Sequence, residues 1–134
     1  MKKLLFLTLV LALAACGGVR EPKELDGQKA YFAFDSAEIS GTAKNNLLGQ
    51  SLYMKNHKDT NIVIEGHCDE RGSTEYNLAL GALRAGNAAH VLTKDGIEST
   101  RVKTISYGKE KPQVKGTGEE VWAKNRNATT RVSK

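Results

Sequence analysis

Ile62-Val63-Ile64-Glu65-Gly66-His67-Cys68-Asp69-Glu70-Arg71-Gly72-Ser73-Thr74-Glu75-Tyr76-Asn77, running on to Leu83-Arg84-Ala85, is the stretch from which the architecture can be read. The alternation of Ile62 and Ile64 predicts a strand over Thr60 to Glu65, ending at Gly66 before a polar loop. Ser73 or Thr74 is placed to N-cap a helix over Glu75 to Asp95, with Leu80, Leu83, Val91 and Leu92 as its apolar residues. Gly96 then suits a left-handed C-terminal cap. Asn77, Gly81, Arg84 and Ala88 recur every three or four positions and so share one helix face. The loop carboxylate of Asp69 and the helical guanidinium of Arg84 should therefore converge at the C-terminal end of the strand, where such units often place ligand sites. An acid beside a base suits a zwitterionic ligand. A plain salt bridge between the two is the alternative. Both are expected on a surface rim, outside the core.

On the N-terminal side, Lys29 to Phe34 reads as a first strand, with Tyr31, Ala33 and Asp35 on one face and Phe32 and Phe34 on the other. Ser40 can cap a helix in which Ala43, Leu47, Ser51 and Met54 form a stripe flanked by Leu48 and Leu52. That helix should end near Asn56-His57, with His57 solvated. Arg101 to Tyr107 reads as a third strand; Pro112, Gly116 and Gly118 mark a loop. Thr117-x-x-Glu120 has the form of a capping box for a short helix through Val121, Trp122 and Ala123. Asn127 to Val132 should supply a last strand, polar and weak in pattern. Tyr107 and Trp122 are expected in the core. Helices and strands alternating on so short a chain imply an α/β (α+β) two-layer sandwich in the order βαβαβ(α)β.

The start of the chain stands apart. Met1-Lys2-Lys3 is a basic n-region, Leu4 to Leu13 an apolar run of about ten residues, against about 20 for a spanning helix, and Ala14-Ala15 are small. Residues 1–15 therefore read as a signal peptide. Leu13-Ala14-Ala15-Cys16-Gly17 resembles the lipobox of bacterial lipoproteins, which implies cleavage before Cys16 and lipid on its thiol. Residues 16–28 are polar, carry Pro22 and lack periodicity, so they read as a short tether with roughly 40 Å of reach. The folded domain is expected over 29–134. The 134 residues carry 20 Lys plus Arg against 15 Asp plus Glu, a formal +5. Loss of the signal peptide takes two lysines with it and leaves a formal +3. The positives are scattered among acids, which speaks against a nucleic-acid face.

Little in the chain requires catalysis. His67 and Cys68 are neighbours on an extended segment and point to opposite sides, so they make neither a shared metal site nor a nucleophile–base pair. His57 and His90 stand alone. No metal or cofactor is implied, and Cys68 reads as a buried, inert thiol. A membrane-tethered hydrolase using His67, Cys68 and Asp69 is the reading of another class.

Gly66-His67-x-Asp69-x-x-Gly72-Ser73-x-x-Tyr76-Asn77, followed by Leu80-Gly81-x-x-Arg84-Ala85, resembles the signature of OmpA-like peptidoglycan-binding domains. Asp69-Glu70-Arg71-Gly72, Ser106-Tyr107-Gly108-Lys109-Glu110-Lys111-Pro112 and Lys124-Asn125-Arg126 look like the peptidoglycan-associated lipoproteins of the Tol–Pal system within that family. The resemblance spans roughly Tyr31 to Arg126. It implies a non-enzymatic, lipid-anchored outer-membrane protein whose domain faces the periplasm and supports envelope integrity and cell division. Gly17, being no aspartate, agrees with that destination. A generic OmpA-like lipoprotein outside the Tol system is the nearer alternative. The implied partners are peptidoglycan, through the diaminopimelate of its stem peptide, and a TolB-type propeller protein. By the same resemblance Asp69 would take the ligand ammonium, Arg84 its carboxylate, and Asn77 would donate and accept beside them. Backbone groups of Phe34 and Asp35 would close one wall and Arg126 another. Asn127 stands where the resemblance has a second Arg.

Overall fold

Ile62 and Ile64 do alternate inward, at 1 % and 0 % exposure, on a strand (β2) over Asn61–His67. The chain is described by a computed structural model over residues 18–133; the expected signal peptide and Cys16 lie outside the described residues. The remaining elements are β1 (Lys29–Tyr31), α1 (Gly41–Asn56), α2 (Thr74–Lys94), β3 (Val102–Gly108), α3 (Glu119–Asn125) and β4 (Asn127–Ser133). The strands form one sheet in the order β1-β4-β2-β3. β2 and β3 run parallel, while β4 is antiparallel to both β1 and β2. Helices α1 and α2 cover the face that carries Ile62 and Ile64. Leu47 and Met54 from α1, and Ala85, Ala88 and Leu92 from α2, complete the core between the layers. This is the two-layer α+β sandwich.

Ser40 and Ser73 cap α1 and α2, accepting from the backbone N–H groups of Ala43 and Tyr76. Gly96 ends α2 at φ 104°, in the left-handed region. Where α2 crosses β2 the contact is backbone on backbone. A Cβ on Gly66 would overlap the carbonyl of Gly81, and one on Gly81 would overlap the Ser106 hydroxyl. Two glycines thus set the distance between helix and sheet.

Several expectations are corrected. β1 stops at Tyr31, three residues early: its partner β4 begins at Asn127, so after Tyr31 only Phe32 N–H still reaches the Arg126 carbonyl. β2 runs two residues further than expected, because His67 still pairs with Asn127 on one side and Gly108 on the other. The Thr117 capping box does not form. Gly118 is the N-cap of α3, at φ 103° and without a side-chain bond, so Thr117 lies outside the cap. Tyr107 and Trp122 are half-buried and outside the core. Tyr107 tilts against His67 beneath Lys111, and Trp122 Nε1 donates to Glu70 at 3.1 Å. The Trp122 indole N–H finds its partner at the surface, which a buried position would deny it. His57 is exposed, as expected.

The last strand is the main surprise. β4 is polar, yet it lies in the interior of the sheet with Asn127, Ala128, Thr129 and Thr130 all buried. Its polar side chains are paired. Thr130 bonds Gln50 on the helix side. On the other face Asn127 Nδ2 donates to Gln113 and to the Lys124 carbonyl at 2.9 Å each, and Thr129 Oγ1 donates to Asn127 Oδ1 at 2.6 Å. Asn127 therefore serves the strand, packed beneath the 109–118 loop.

The tether is not free either. Leu25 is 1 % exposed within the core, Gly27 N–H donates to Thr130 O, and the Asp26 carboxylate accepts from Val132 N–H. Further back, Glu21 accepts from Asn56 Nδ2 at 2.8 Å, and a Cβ on Gly49 would overlap the Arg20 carbonyl. Residues from about 20 onward belong to the domain, because Leu25 buries apolar surface that the sequence pattern left unpaired. Leu25→Ala is expected to cost about 2–5 kcal/mol, as other buried Leu truncations do. A denaturant titration reads this as a lower midpoint at unchanged slope.

Candidate functional site

β2 delivers Cys68 and Asp69 to the edge of the sheet, and the capped start of α2 stands beside them. A β-bulge between Gly66 and His67 in the β2–β3 pairing shifts the register there. It brings Gly108, at φ 54°, under the first turn of α2, where a Cβ would press within 3.0 Å of Asn77 and Leu78 backbone atoms. Opposite, the chain leaving β1 turns back at Asp35, which adopts φ 53°. Asp is among the few side chains that tolerate this region. Between these pieces lies an open cleft of about 270 Å³, lined among others by Phe34, Asp35, Asp69, Arg71, Asn77 and Arg84.

Arg84 projects from the middle of α2 and is 1 % exposed. Its Nε donates to Ser36 O at 2.8 Å, Nη1 to His67 O at 3.0 Å and Nη2 to Ala33 O at 3.1 Å. The guanidinium thus ties the 33–36 turn to the end of β2. Among the described residues no carboxylate lies within 4.0 Å of it. Burial pushes its pKa down, against the pull of the neighbouring Cys68 and Asp69. The surface rim expected for this pair is therefore a buried floor, and the direct Asp69–Arg84 salt bridge is not formed.

Asp69 is 5 % exposed and its carboxylate is occupied. Oδ1 accepts from Arg71 N–H at 3.1 Å and Arg71 Nε at 3.2 Å; Oδ2 accepts from Arg71 Nη2 at 2.8 Å and Arg126 Nη1 at 3.4 Å. Burial alone would raise the Asp69 pKa. The hydrogen bonds and charge of Arg71, with Arg126, outweigh it and hold the carboxyl below its usual value. A depressed folded pKa contributes stability above the unfolded value of about 3.9 and loses it as pH falls through the folded value. Melting temperatures of wild type and Asp69→Asn, separated at neutral pH, should therefore converge in acid below the ordinary carboxylate range.

Of the other expected residues, Asn77 is buried and on the cleft wall; its Nδ2 donates to the carbonyls of Arg71 at 2.7 Å and Ser73 at 3.0 Å, leaving Oδ1 to accept. Phe34, 58 % exposed, and Asp35 form the lip. Arg126 stands behind Asp69, outside the cleft lining, with Nε on Phe32 O at 2.9 Å and Nη2 on Glu119 at 2.8 Å. It braces Asp69, where the resemblance implied that it would close a wall. Cys68 lines the cleft with its thiol donating to Asn77 O at 3.3 Å; burial first, then the Asp69 charge, pushes its pKa up, against Arg84. His67 turns instead to Glu65 at 3.2 Å, so the two are no nucleophile–base pair.

Two residues of the site, Tyr76 and Arg71, are not among those expected to bind. Tyr76 donates its hydroxyl to Asp35 across the cleft mouth. The Arg71 guanidinium lies 3.9 Å from the centroids of both Phe34 and Trp122, between the two rings. A signal for Arg71 existed: Asp two residues before an N–H is the pattern of an Asx turn, which folds the Arg71 backbone onto the carboxylate.

The sequence profile of the OmpA family matches residues 31–126. The chain is 45 % identical to the peptidoglycan-associated lipoprotein of Mesorhizobium japonicum over 80 % of its length and 64 % of that protein's. It is 37 % identical to the protein of the same name from Pasteurella multocida, covering 95 % of this chain and 94 % of that one. The chain thus spans under two thirds of the Mesorhizobium relative but nearly all of the Pasteurella one. The crystal structure of the peptidoglycan-associated lipoprotein from Burkholderia pseudomallei superposes with a TM-score of 0.76 at 38 % identity, over 79 % of this chain and 90 % of that one. The C-terminal domain of Helicobacter pylori MotB, 20 % identical with a TM-score of 0.73 over 79 % of this chain and 84 % of that one, shares the fold. With the profile spanning most of the folded residues and a relative matched nearly end to end, the chain belongs to the OmpA family, in its peptidoglycan-associated lipoprotein branch.

Proposed function

We propose that this chain is a non-enzymatic, lipid-anchored protein that binds peptidoglycan in the cleft between Asp69 and Arg84. One observation carries the reading: the buried Arg84 guanidinium faces the cleft with no carboxylate among the described residues within 4.0 Å of it. A buried charge is ordinarily paired, so an anion delivered by a ligand is the natural complement, and a planar fork favours a carboxylate. Diaminopimelate, whose free end carries a carboxylate beside an ammonium, matches Arg84 and Asp69 together, with Asn77 Oδ1 as an acceptor between them. Phe34 and Asp35 line the mouth, and Arg126 acts through Asp69. The names of the relatives support the same partner. Lipid on Cys16 would fix the protein to the outer membrane, and the wall contact would tie the two layers. Within the Tol system a TolB-type propeller is the further partner, and envelope integrity during division the role.

The test is retention of the purified domain on peptidoglycan sacculi, with free diaminopimelate as competitor. Co-sedimentation that the competitor reverses supports the reading. Retention indifferent to diaminopimelate, or none at all, removes it.

A further inference from the structure

Asp69, the group assigned to the ligand ammonium, has no vacant position. A carboxylate offers about four lone-pair sites, and four donors already occupy them: the Arg71 backbone N–H, Arg71 Nε, Arg71 Nη2 and Arg126 Nη1. At 5 % exposure it offers little free surface to a further cation, although it lines the cleft. An ammonium reaches Asp69 only if a donor leaves. Arg126 is poorly suited to leave, since it is 6 % exposed and bonded also to Phe32 O and Glu119. The Arg71 side chain is 31 % exposed, projects from a loop, and shares the cleft lining with Phe34. Beyond Asp69 its guanidinium is held by the faces of Phe34 and Trp122.

We propose that Arg71 is a built-in competitor that occupies the ammonium position in the empty cleft and must swing off Asp69 before an ammonium-bearing ligand seats; the assignment rests on the proposed function above. The Asp69–Arg71 pair then serves two ends. It keeps a buried carboxylate neutralised while the cleft is empty, and it selects for ligands whose ammonium and carboxylate together outbid a bidentate arginine. A ligand with only the carboxylate can meet Arg84 without disturbing Arg71. Because only the fraction of molecules with Arg71 displaced is competent, apparent affinity for an ammonium-bearing ligand is reduced by that fraction.

The chain has one tryptophan, and it lies against Arg71, so its emission reports where the guanidinium is. Free meso-diaminopimelate and pimelate, the same chain without amino groups, are titrated into the purified domain and followed by Trp122 fluorescence and by calorimetry. In wild type, diaminopimelate should change the emission saturably and pimelate should not. Arg71→Ala should bind diaminopimelate tighter by up to about fivefold, the range expected for removing a partly exposed competing pair, with its emission already shifted and little further change. Its affinity for pimelate should not rise. Arg71→Gln serves as the second variant, and both are checked by thermal melts. The proposal is overturned if both variants fold and bind diaminopimelate more weakly, or if wild type binds it calorimetrically with no change at Trp122. No calorimetric binding by wild type or variants overturns the underlying binding reading as well, which separates the two failures.

Discussion

Arg84→Ala is expected to abolish retention on sacculi and also to lower the melting temperature. The binding loss would follow from removing the cation proposed to meet the ligand carboxylate. Truncating one partner of a desolvated charge pair costs about 2–5 kcal/mol, roughly 30-fold to several-thousand-fold in affinity. The stability loss follows from position: at 1 % exposure the side chain holds the carbonyls of Ala33, Ser36 and His67. Those carbonyls connect the 33–36 turn to β2, so Ala would loosen the lip that carries Phe34 and Asp35. Part of that loss is offset, because a buried guanidinium without a carboxylate is itself costly to desolvate. A drop of a few degrees, with the protein still folded, is the expected outcome. Arg84→Lys separates the two effects. Lysine keeps a charge at the floor of the cleft but has no fork, so it should fold close to wild type and bind markedly more weakly. Sacculus binding by Arg84→Lys equal to wild type would rule out the bidentate contact. Circular dichroism melts beside the co-sedimentation assay read both quantities.

Gly66→Ala should be far more damaging than its single methyl suggests. The added Cβ would enter the carbonyl of Gly81, which belongs to helix backbone and cannot rotate away as a side chain could. Relief requires α2 to lift from β2. That would open the core at Ala85 and Ala88 and displace both Asn77 and Arg84 from the cleft. Ordinary overpacking costs about 1–3 kcal/mol; a backbone-on-backbone clash should exceed that range and leave little folded protein. The matched control lies on the same helix. Gly86 is exposed, and a methyl added there would meet nothing within 4 Å. Gly86→Ala should therefore stabilise by about 0.5–1 kcal/mol through helix propensity. If Gly66→Ala melts like wild type, the close approach of helix and sheet is not obligatory.

Short-range periodicity and capping chemistry were legible in the chain alone. Ile62 and Ile64 placed β2, Ser40 and the choice of Ser73 or Thr74 placed the starts of α1 and α2, Gly96 closed α2, and the spacing of Asn77 and Arg84 put both on the face that meets the cleft. The resemblance around Gly66 to Ala85 named the family. Whatever depends on partners distant in the chain was settled by packing in three dimensions. β4 reads as a marginal strand because its polarity looks solvated. It is interior because Gln50, Gln113 and Lys124, which lie on other segments, satisfy its polar groups. Leu25 lacked periodic neighbours and looked like tether, yet the core had a place for it. At Asp69 an Asx turn could signal the Arg71 backbone N–H, but the side-chain pairing was out of reach of pattern. Strand and helix spacing brought Asp69 and Arg84 to one cleft, but hydrogen-bond geometry gave the carboxylate to Arg71 and Arg126 and left Arg84 to carbonyls. Period and capping are local properties of a chain, whereas which charge a buried carboxylate meets depends on loops whose paths only packing fixes.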